Sequence, residues 1–280
     1  MNARVLPVIG PLGAPLRPGR GLPQVRLRLW HGVLALGVIL LGSVTARAAG
    51  GPVPAGVLAV LARWTPLLLR GFMFNIVISV FSVAIGTAFG LIAGLWLVSP
   101  NRALRAASVA FTEFFRNAPW LVLLFFVTFL LPFELRLGPV TVPLPGWVKA
   151  VIGLALPVMA NVAEIVRGAM QSIHPGQWEA SESLGFTRHQ QVWRIILPQC
   201  LTRMLPPWMN LYAIVTMSTA LASIVGVDEV VTLAGQVQAA EGSRPGLLAP
   251  IYSYVLLLFF VYSYPIALWT RRLEARFGRR

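Results

Sequence analysis

Six stretches of this chain, at about 30–46, 72–98, 117–133, 147–166, 206–225 and 249–269, are apolar over a length that few globular folds can use. A helix needs about 20 apolar residues to cross a bilayer, because each adds about 1.5 Å of rise against about 30 Å of hydrocarbon. Hydrocarbon offers a backbone amide no water to bond, so such runs take the helical form, which satisfies its own backbone. Composition agrees. The 280 residues are 57% hydrophobic and 11% charged, where a soluble domain has about 25% charged. The sequence predicts an all-α, polytopic membrane helical bundle.

Charge then orients the spans. Most of the 23 lysines and arginines lie in alternate connections: the tail 1–29, the loop 99–116, the segment 167–203 and the C-terminal tail from Arg271. Arg47, Arg63, Arg70, Arg136, Lys149 and Arg244 fall on the other side. The positive-inside rule puts the first set, and with it both termini, in the cytoplasm. The net charge of +14 is thereby explained by membrane lipid and topology, with no nucleic acid needed. Residues 1–29, rich in Pro and Gly and without an acid, are expected as a basic disordered cytoplasmic tail. Residues 30–49 are expected as an extra N-terminal span. Ala46 and Ala48 also allow a signal-peptide reading, with cleavage after them. Residues 57–70 are expected as a separate helix on the outer interface, and 132–146, studded with proline, as an outer loop. Trp30, Trp96, Trp120, Trp147, Trp208 and Trp269 fall near span ends, as an interfacial aromatic belt would.

The polar segment 174–203 interrupts this pattern. His174-Pro175-Gly176 has turn chemistry and ends the fourth span. Residues 177–184 predict a short helix, and Gly185 follows where a helix ends in the left-handed conformation. Thr187 and Gln190 have capping-box spacing, so a second helix starts there, with Val192, Ile195 and Ile196 on one face. Pro198 is expected to close or kink it. Helix, glycine corner, helix on the cytoplasmic side suits the docking of a cytoplasmic partner.

The residues of this segment resemble a known signature. Glu179, Ala180 and Ser181, then Gly185, Ile195, Leu197 and Pro198, are spaced as in the EAA motif of bacterial ABC importer membrane subunits, with serine in place of the commoner third alanine. In that family the loop couples the membrane subunit to its ATPase. "FTEFFRNAPWLVLLFF" at 111–126, "ANVAEIVRGAMQSIHPGQWEA" at 160–180, "ILPQCLTRMLPPWMN" at 196–210, "LASIVGVDE" at 221–229 and "RRLEARF" at 271–277 resemble its polar amino acid permease branch. The resemblance covers roughly 65–277. It implies a five-helix permease core within a transmembrane domain at 57–277, beside the extra span, and a multi-pass protein of the bacterial inner membrane. It implies ABC ATPase subunits that bind the ATP, a second permease subunit (identical or not), a periplasmic solute-binding protein and an amino acid substrate. The branch carries a Lys-Asp pair in the fifth span; here Met217 and Ser218 stand in its place, so a charged substrate does not carry over.

Polar residues inside the spans are the candidates for a substrate path: Asn75, Asn161, Thr216, Ser218, Thr219 and Ser223. The same residue types also make hydrogen bonds between helices. Glu164 with Arg167, and Glu113 with Arg116, have the i, i+3 spacing of local ion pairs. His174 and His189 read as solvated loop residues and Cys200 as a small packing residue. The only lysine, Lys149, lies outside any Walker A pattern, so no cofactor is expected in this chain. Neither a metal cluster nor a catalytic residue is expected. A stand-alone secondary transporter or channel is the alternative; it calls for internal repeats or intramembrane charges. A membrane scaffold without transport would have no need of polar residues in the fifth span.

Overall fold

The computed structural model describes Gly37 and residues 56–137 and 140–277. The expected tail, the extra span with its signal-peptide alternative, and Trp30 lie outside the described residues, Gly37 excepted. Among the described residues four helices are long and apolar enough to cross a membrane, or five if a bent pair, Arg102–Asn117 with Trp120–Leu130, is counted as one span.

Helix α1 runs from Val57 to Leu97 without a break. The separate interfacial helix expected at 57–70 is therefore the first part of the span helix. Pro66 lies inside it, and Gly71 serves packing: a Cβ there would come within 3.0 Å of the Val230 backbone.

The stretch 99–116, expected as a loop, is mostly helix α2, Arg102–Asn117. Asn101 caps it, its side chain accepting from the amides of Ala103 and Leu104 at 2.9 and 3.3 Å. Pro119 disfavours the α conformation at Ala118, whose ψ is 138°. The chain turns by 106° into α3, Trp120–Leu130, which is shorter than the expected third span.

The proline-studded stretch expected as an outer loop contains an antiparallel hairpin, β1 Glu134–Leu137 with β2 Val140–Pro143, in register Leu135 opposite Val142 and Arg136 opposite Thr141. Helix α4, Gly146–Gln171, then packs along α1 in the most extensive helix contact of the fold. Gly86, Gly90 and Gly94 of α1 face Val158, Val162 and Val166 of α4; a Cβ on any of these glycines would lie 2.6 Å or less from the facing valine. Small residues four apart let the backbones come this close, the usual device between helices in lipid.

The polar segment forms α5, Pro175–Ser183, and α6, Arg188–Gln190. Six residues of π-helix, Gln191–Ile196, lead into α7, Leu197–Ser218, and a 3₁₀ stretch, Thr219–Val225. Pro198 neither closes nor kinks this helix off: it sits in the first turn of α7, and Arg188–Val225 is one continuous rod. The wider π turn removes the i−4 pairing that a proline would break. Trp208, expected at an interface, is mid-helix and donates to the Thr87 hydroxyl at 2.8 Å. A short apolar helix, α8 (Val230–Ala240), and the long α9 (Pro245–Phe277) complete the fold.

Candidate functional site

The polar segment is built by local chemistry. His174 caps α5, its Nδ1 accepting from the Gly176 amide at 3.1 Å, so this expected solvated histidine has a structural task. At the other end Gly185 has φ of +76°. The Gly185 amide donates to the Glu182 carbonyl at 2.9 Å and the Phe186 amide to the Ser181 carbonyl at 3.1 Å. These are the two bonds of a Schellman ending, which needs a left-handed residue and so favours glycine. Thr187 and Gln190 then close a reciprocal capping box, the Thr187 amide donating to Gln190 Oε1 at 2.9 Å. Arg188 lies over the Trp178 ring, 4.1 Å from its centre, and holds the two helices together.

The signature residues divide by exposure. Glu179, Ala180, Gly185 and Pro198 are exposed, while Ile195 and Leu197 are half-buried. Ser181 is buried, its hydroxyl donating to the Trp178 carbonyl at 2.8 Å. Leu184 is 75% exposed beside the glycine corner. An exposed leucine next to two exposed glutamates, Glu179 and Glu182, offers an apolar knob with charged surroundings. Behind it Val192, Ile195 and Ile196 pack together into the core, as their spacing predicts.

A second feature is a cleft of about 530 Å³ between α4 and α7, mostly apolar in its walls but holding several charged and amide groups. Glu164 is its acidic centre. Arg167 reaches it at 2.6 Å, as expected, and Arg116 at 3.4 Å. Arg116 thus pairs across to α4 and not with Glu113 of its own helix. Arg203 donates to the carbonyl and hydroxyl of Ser172 at 2.6 and 2.9 Å. Asn161 lines the cleft and donates to the Pro157 carbonyl at 2.7 Å; Asn210 lines it from α7.

The other polar span residues lie elsewhere. Asn75, Thr216 and Thr219 are fully buried and line no opening in this subunit. Asn75 Nδ2 donates to Thr219 Oγ1 at 2.9 Å and to Glu229 Oε2 at 2.8 Å, which are bonds between elements. Thr216 bonds back to the Tyr212 carbonyl at 3.0 Å. Ser218 and Ser223 are part-exposed and donate to the carbonyls of Ile214 and Ala220 at 2.9 and 2.7 Å. Of the six, only Asn161 opens onto the cleft.

Sequence reasoning missed Arg203 and Asn210, although their spacing of seven puts both on one face of α7. It also missed Glu229, an acid in an apolar stretch, and Lys149. Lys149 is fully buried and donates to the carbonyls of Thr128 and Leu131 at 3.2 and 2.8 Å. Cys200 is buried in the core, as a packing residue would be. Among the described residues no cluster of His, Cys, Asp or Glu could hold a metal.

Residues 86–277 match the family described as binding-protein-dependent transport system inner membrane components. The glutamine transport system permease protein of Escherichia coli K12 is 34% identical over 214 residues, 75% of this chain and 93% of that one. The probable glutamine ABC transporter permease protein of Bacillus subtilis 168 is 31% identical over 211 residues, 75% and 93% of the two chains. The crystal structure of an amino acid ABC transporter with histidines superposes with a TM-score of 0.65 at 25% identity, over 78% of this chain and 98% of that one.

Proposed function

This chain belongs to the inner-membrane components of binding-protein-dependent transport systems and is the permease subunit of an ATP-driven importer, and on that premise we propose that it passes an amino acid across the bacterial inner membrane. The observation that carries the coupling role is the corner at Gly185: capped on both sides, exposed, and continuous through the π turn with a helix that crosses the membrane. A partner that moves this corner pulls on the helix that runs from Arg188 to Val225.

In this reading the ATPase subunits bind ATP and dock on Glu179, Ala180 and Gly185, with the buried Ser181 packing the helix behind them and Ile195, Leu197 and Pro198 transmitting the motion into α7. A second permease subunit, identical or related, completes the path. A solute-binding protein delivers substrate to the outer face, and both termini lie in the cytoplasm. Both named relatives are glutamine permeases by name, which supports an amino acid as the substrate. The cleft at Asn161, Glu164 and Asn210 provides amide and charged groups for a polar solute near the coupling loop. Ser218 and Ser223, half-buried near the end of α7 and in the 3₁₀ segment, are further polar groups that a path between two subunits could use.

The test is uptake of a panel of labelled amino acids into proteoliposomes holding this chain with the ATPase and binding protein encoded beside it. Uptake that needs ATP and is lost in Gly185→Arg supports the reading. Uptake driven by an ion gradient without ATP refutes it in favour of a secondary transporter. ATPase stimulation by the loaded binding protein, with no amino acid taken up, keeps the importer and removes the substrate class.

A further inference from the structure

The buried junction of Asn75, Thr219 and Glu229 brings three elements to one side chain. Asn75 lies in the middle of α1, Thr219 begins the 3₁₀ segment, and Glu229 caps α8. All three are 0% exposed. Glu229 Oε1 accepts from the amides of Val231 and Thr232, both at 2.9 Å, which satisfies the start of α8. Its Oε2 accepts from Asn75 Nδ2. Asn75 Oδ1 in turn accepts from the Val230 amide at 3.0 Å. None of the four ion pairs among the described residues involves Glu229.

This network has a direction. Turning the Asn75 amide over would set its NH₂ against the Val230 amide and its oxygen against the Glu229 carboxylate, two donors and two acceptors face to face. Thr219 adds a third constraint. It accepts from Asn75 while donating to the Thr216 carbonyl at 2.7 Å. The 3₁₀ segment is therefore pinned to α1 at its first residue. Its far end is held as well: the Val227 amide donates to the Ala222 carbonyl at 3.1 Å, and the Thr232 hydroxyl to the Val227 carbonyl at 2.7 Å. Gly226, at φ of +82°, makes the turn between them.

We infer that Asn75 and Glu229 are positioning residues for transport, holding the segment Thr219–Val225 at a fixed depth against α1 so that the motion of α7 reaches the substrate. The inference rests on the importer reading above. A loosened segment would let α7 move without moving substrate, so ATP hydrolysis would continue while import fell behind.

The network itself supplies the test. In Glu229→Gln the new NH₂ meets the Asn75 NH₂, and in Asn75→Asp two carboxylates meet. The double variant Asn75→Asp with Glu229→Gln exchanges donor and acceptor and restores complementarity. The introduced glutamine amide donates to the introduced carboxylate, which still accepts from the Val230 amide, while the Thr219 hydroxyl turns to donate to the same carboxylate. The readout is substrate imported per ATP hydrolysed in proteoliposomes holding the full assembly, together with the amount of ATPase that copurifies. Each single variant should lower the ratio about tenfold, as expected for one unpaired buried group, and the double should return it to within about threefold of the parent. A ratio unchanged in the singles, with only the amount of assembly reduced, overturns the inference, as does a double variant no better than either single. Should the singles fail to assemble, Thr219→Val removes the hydroxyl and leaves the Asn75–Glu229 bonds in place. A lowered ratio there supports the inference and an unchanged one overturns it. Uptake by the unaltered chain that follows an ion gradient without ATP would overturn the importer reading, and this inference with it.

Discussion

Gly90 of α1 and Val162 of α4 touch so closely that a methyl group on Gly90 would stand 2.6 Å from the Val162 Cβ and 2.7 Å from the Met159 carbonyl oxygen. The first contact is with a β-carbon and the second with backbone, so neither can swing aside. The two helices would have to part.

Gly90→Ala should therefore destabilise the folded chain by about 1–3 kcal/mol, the range for overpacking a filled core. Val162→Ala should not rescue it, because the Cβ at position 162 and the Met159 carbonyl both remain. Thermal unfolding in detergent of the two single variants and the double decides this. A double as stable as Val162→Ala alone would show that the valine methyls, and not the backbone, set the spacing.

Gly185 presents the opposite case. A Cβ there meets nothing within 4 Å, so only the sign of φ opposes substitution. Gly185→Ala should cost about 1–2 kcal/mol locally, while Gly185→Asn, a residue that tolerates this conformation, should keep most transport. Gly185→Arg should abolish ATP-dependent uptake with the spans still inserted, since it adds both strain and a bulky side chain to the exposed corner. Normal uptake by the Arg variant would separate this corner from coupling.

How much was legible follows from how local each feature is. The Schellman glycine and the Thr187–Gln190 box depend on residues close along the chain, and they form where the residue types place them. The Glu164–Arg167 pair is local too. The separate helix expected at 57–70 was misjudged because its packing is tertiary: Gly71 makes room for α8, far along the chain. The hairpin at 134–143 needed cross-strand pairing, which proline-rich composition hides. Asn75 was visible as an amide in a span, but its partners lie 144 to 155 residues away, so composition could not tell a path residue from a tether. Pro198 was misread because the π turn before it is not written in any single residue.

Lys149 yields a stability prediction. Its ammonium group is the partner of the Thr128 and Leu131 carbonyls at the end of α3, where a helix leaves carbonyls unpaired. It also lies 3.7 Å from the centre of the Phe133 ring. Lys149→Met fills similar space but orphans both carbonyls, which should cost about 1–3 kcal/mol. The loss should appear as faster proteolysis in the hairpin following α3, compared at equal temperature with the parent. Equal cleavage rates would show that water or lipid headgroups satisfy those carbonyls instead.

The corner between α8 and α9 should respond to acid. Glu241 accepts from the Trp64 indole at 2.9 Å, pairs with Arg244 at 2.6 Å, and lies 3.6 Å from Arg63. The Trp64 hydrogen bond holds its carboxyl below the ordinary carboxylate range; burial opposes this less strongly, and the Arg244 and Arg63 guanidinium groups add to the lowering. A carboxylate depressed in the folded state stabilises it at pH above the ordinary value, and that contribution is lost as pH falls through the lowered one. The attachment of this corner to the first turns of α1 should therefore hold at neutral pH and weaken as pH drops below about 4.5. Glu241→Gln keeps an acceptor for Trp64 but removes the charge, so its stability should vary less over that acid range than the parent's. Unfolding midpoints measured from neutral pH down to about pH 3 for the two chains give the comparison; parallel curves would show that Glu241 does not titrate in this window.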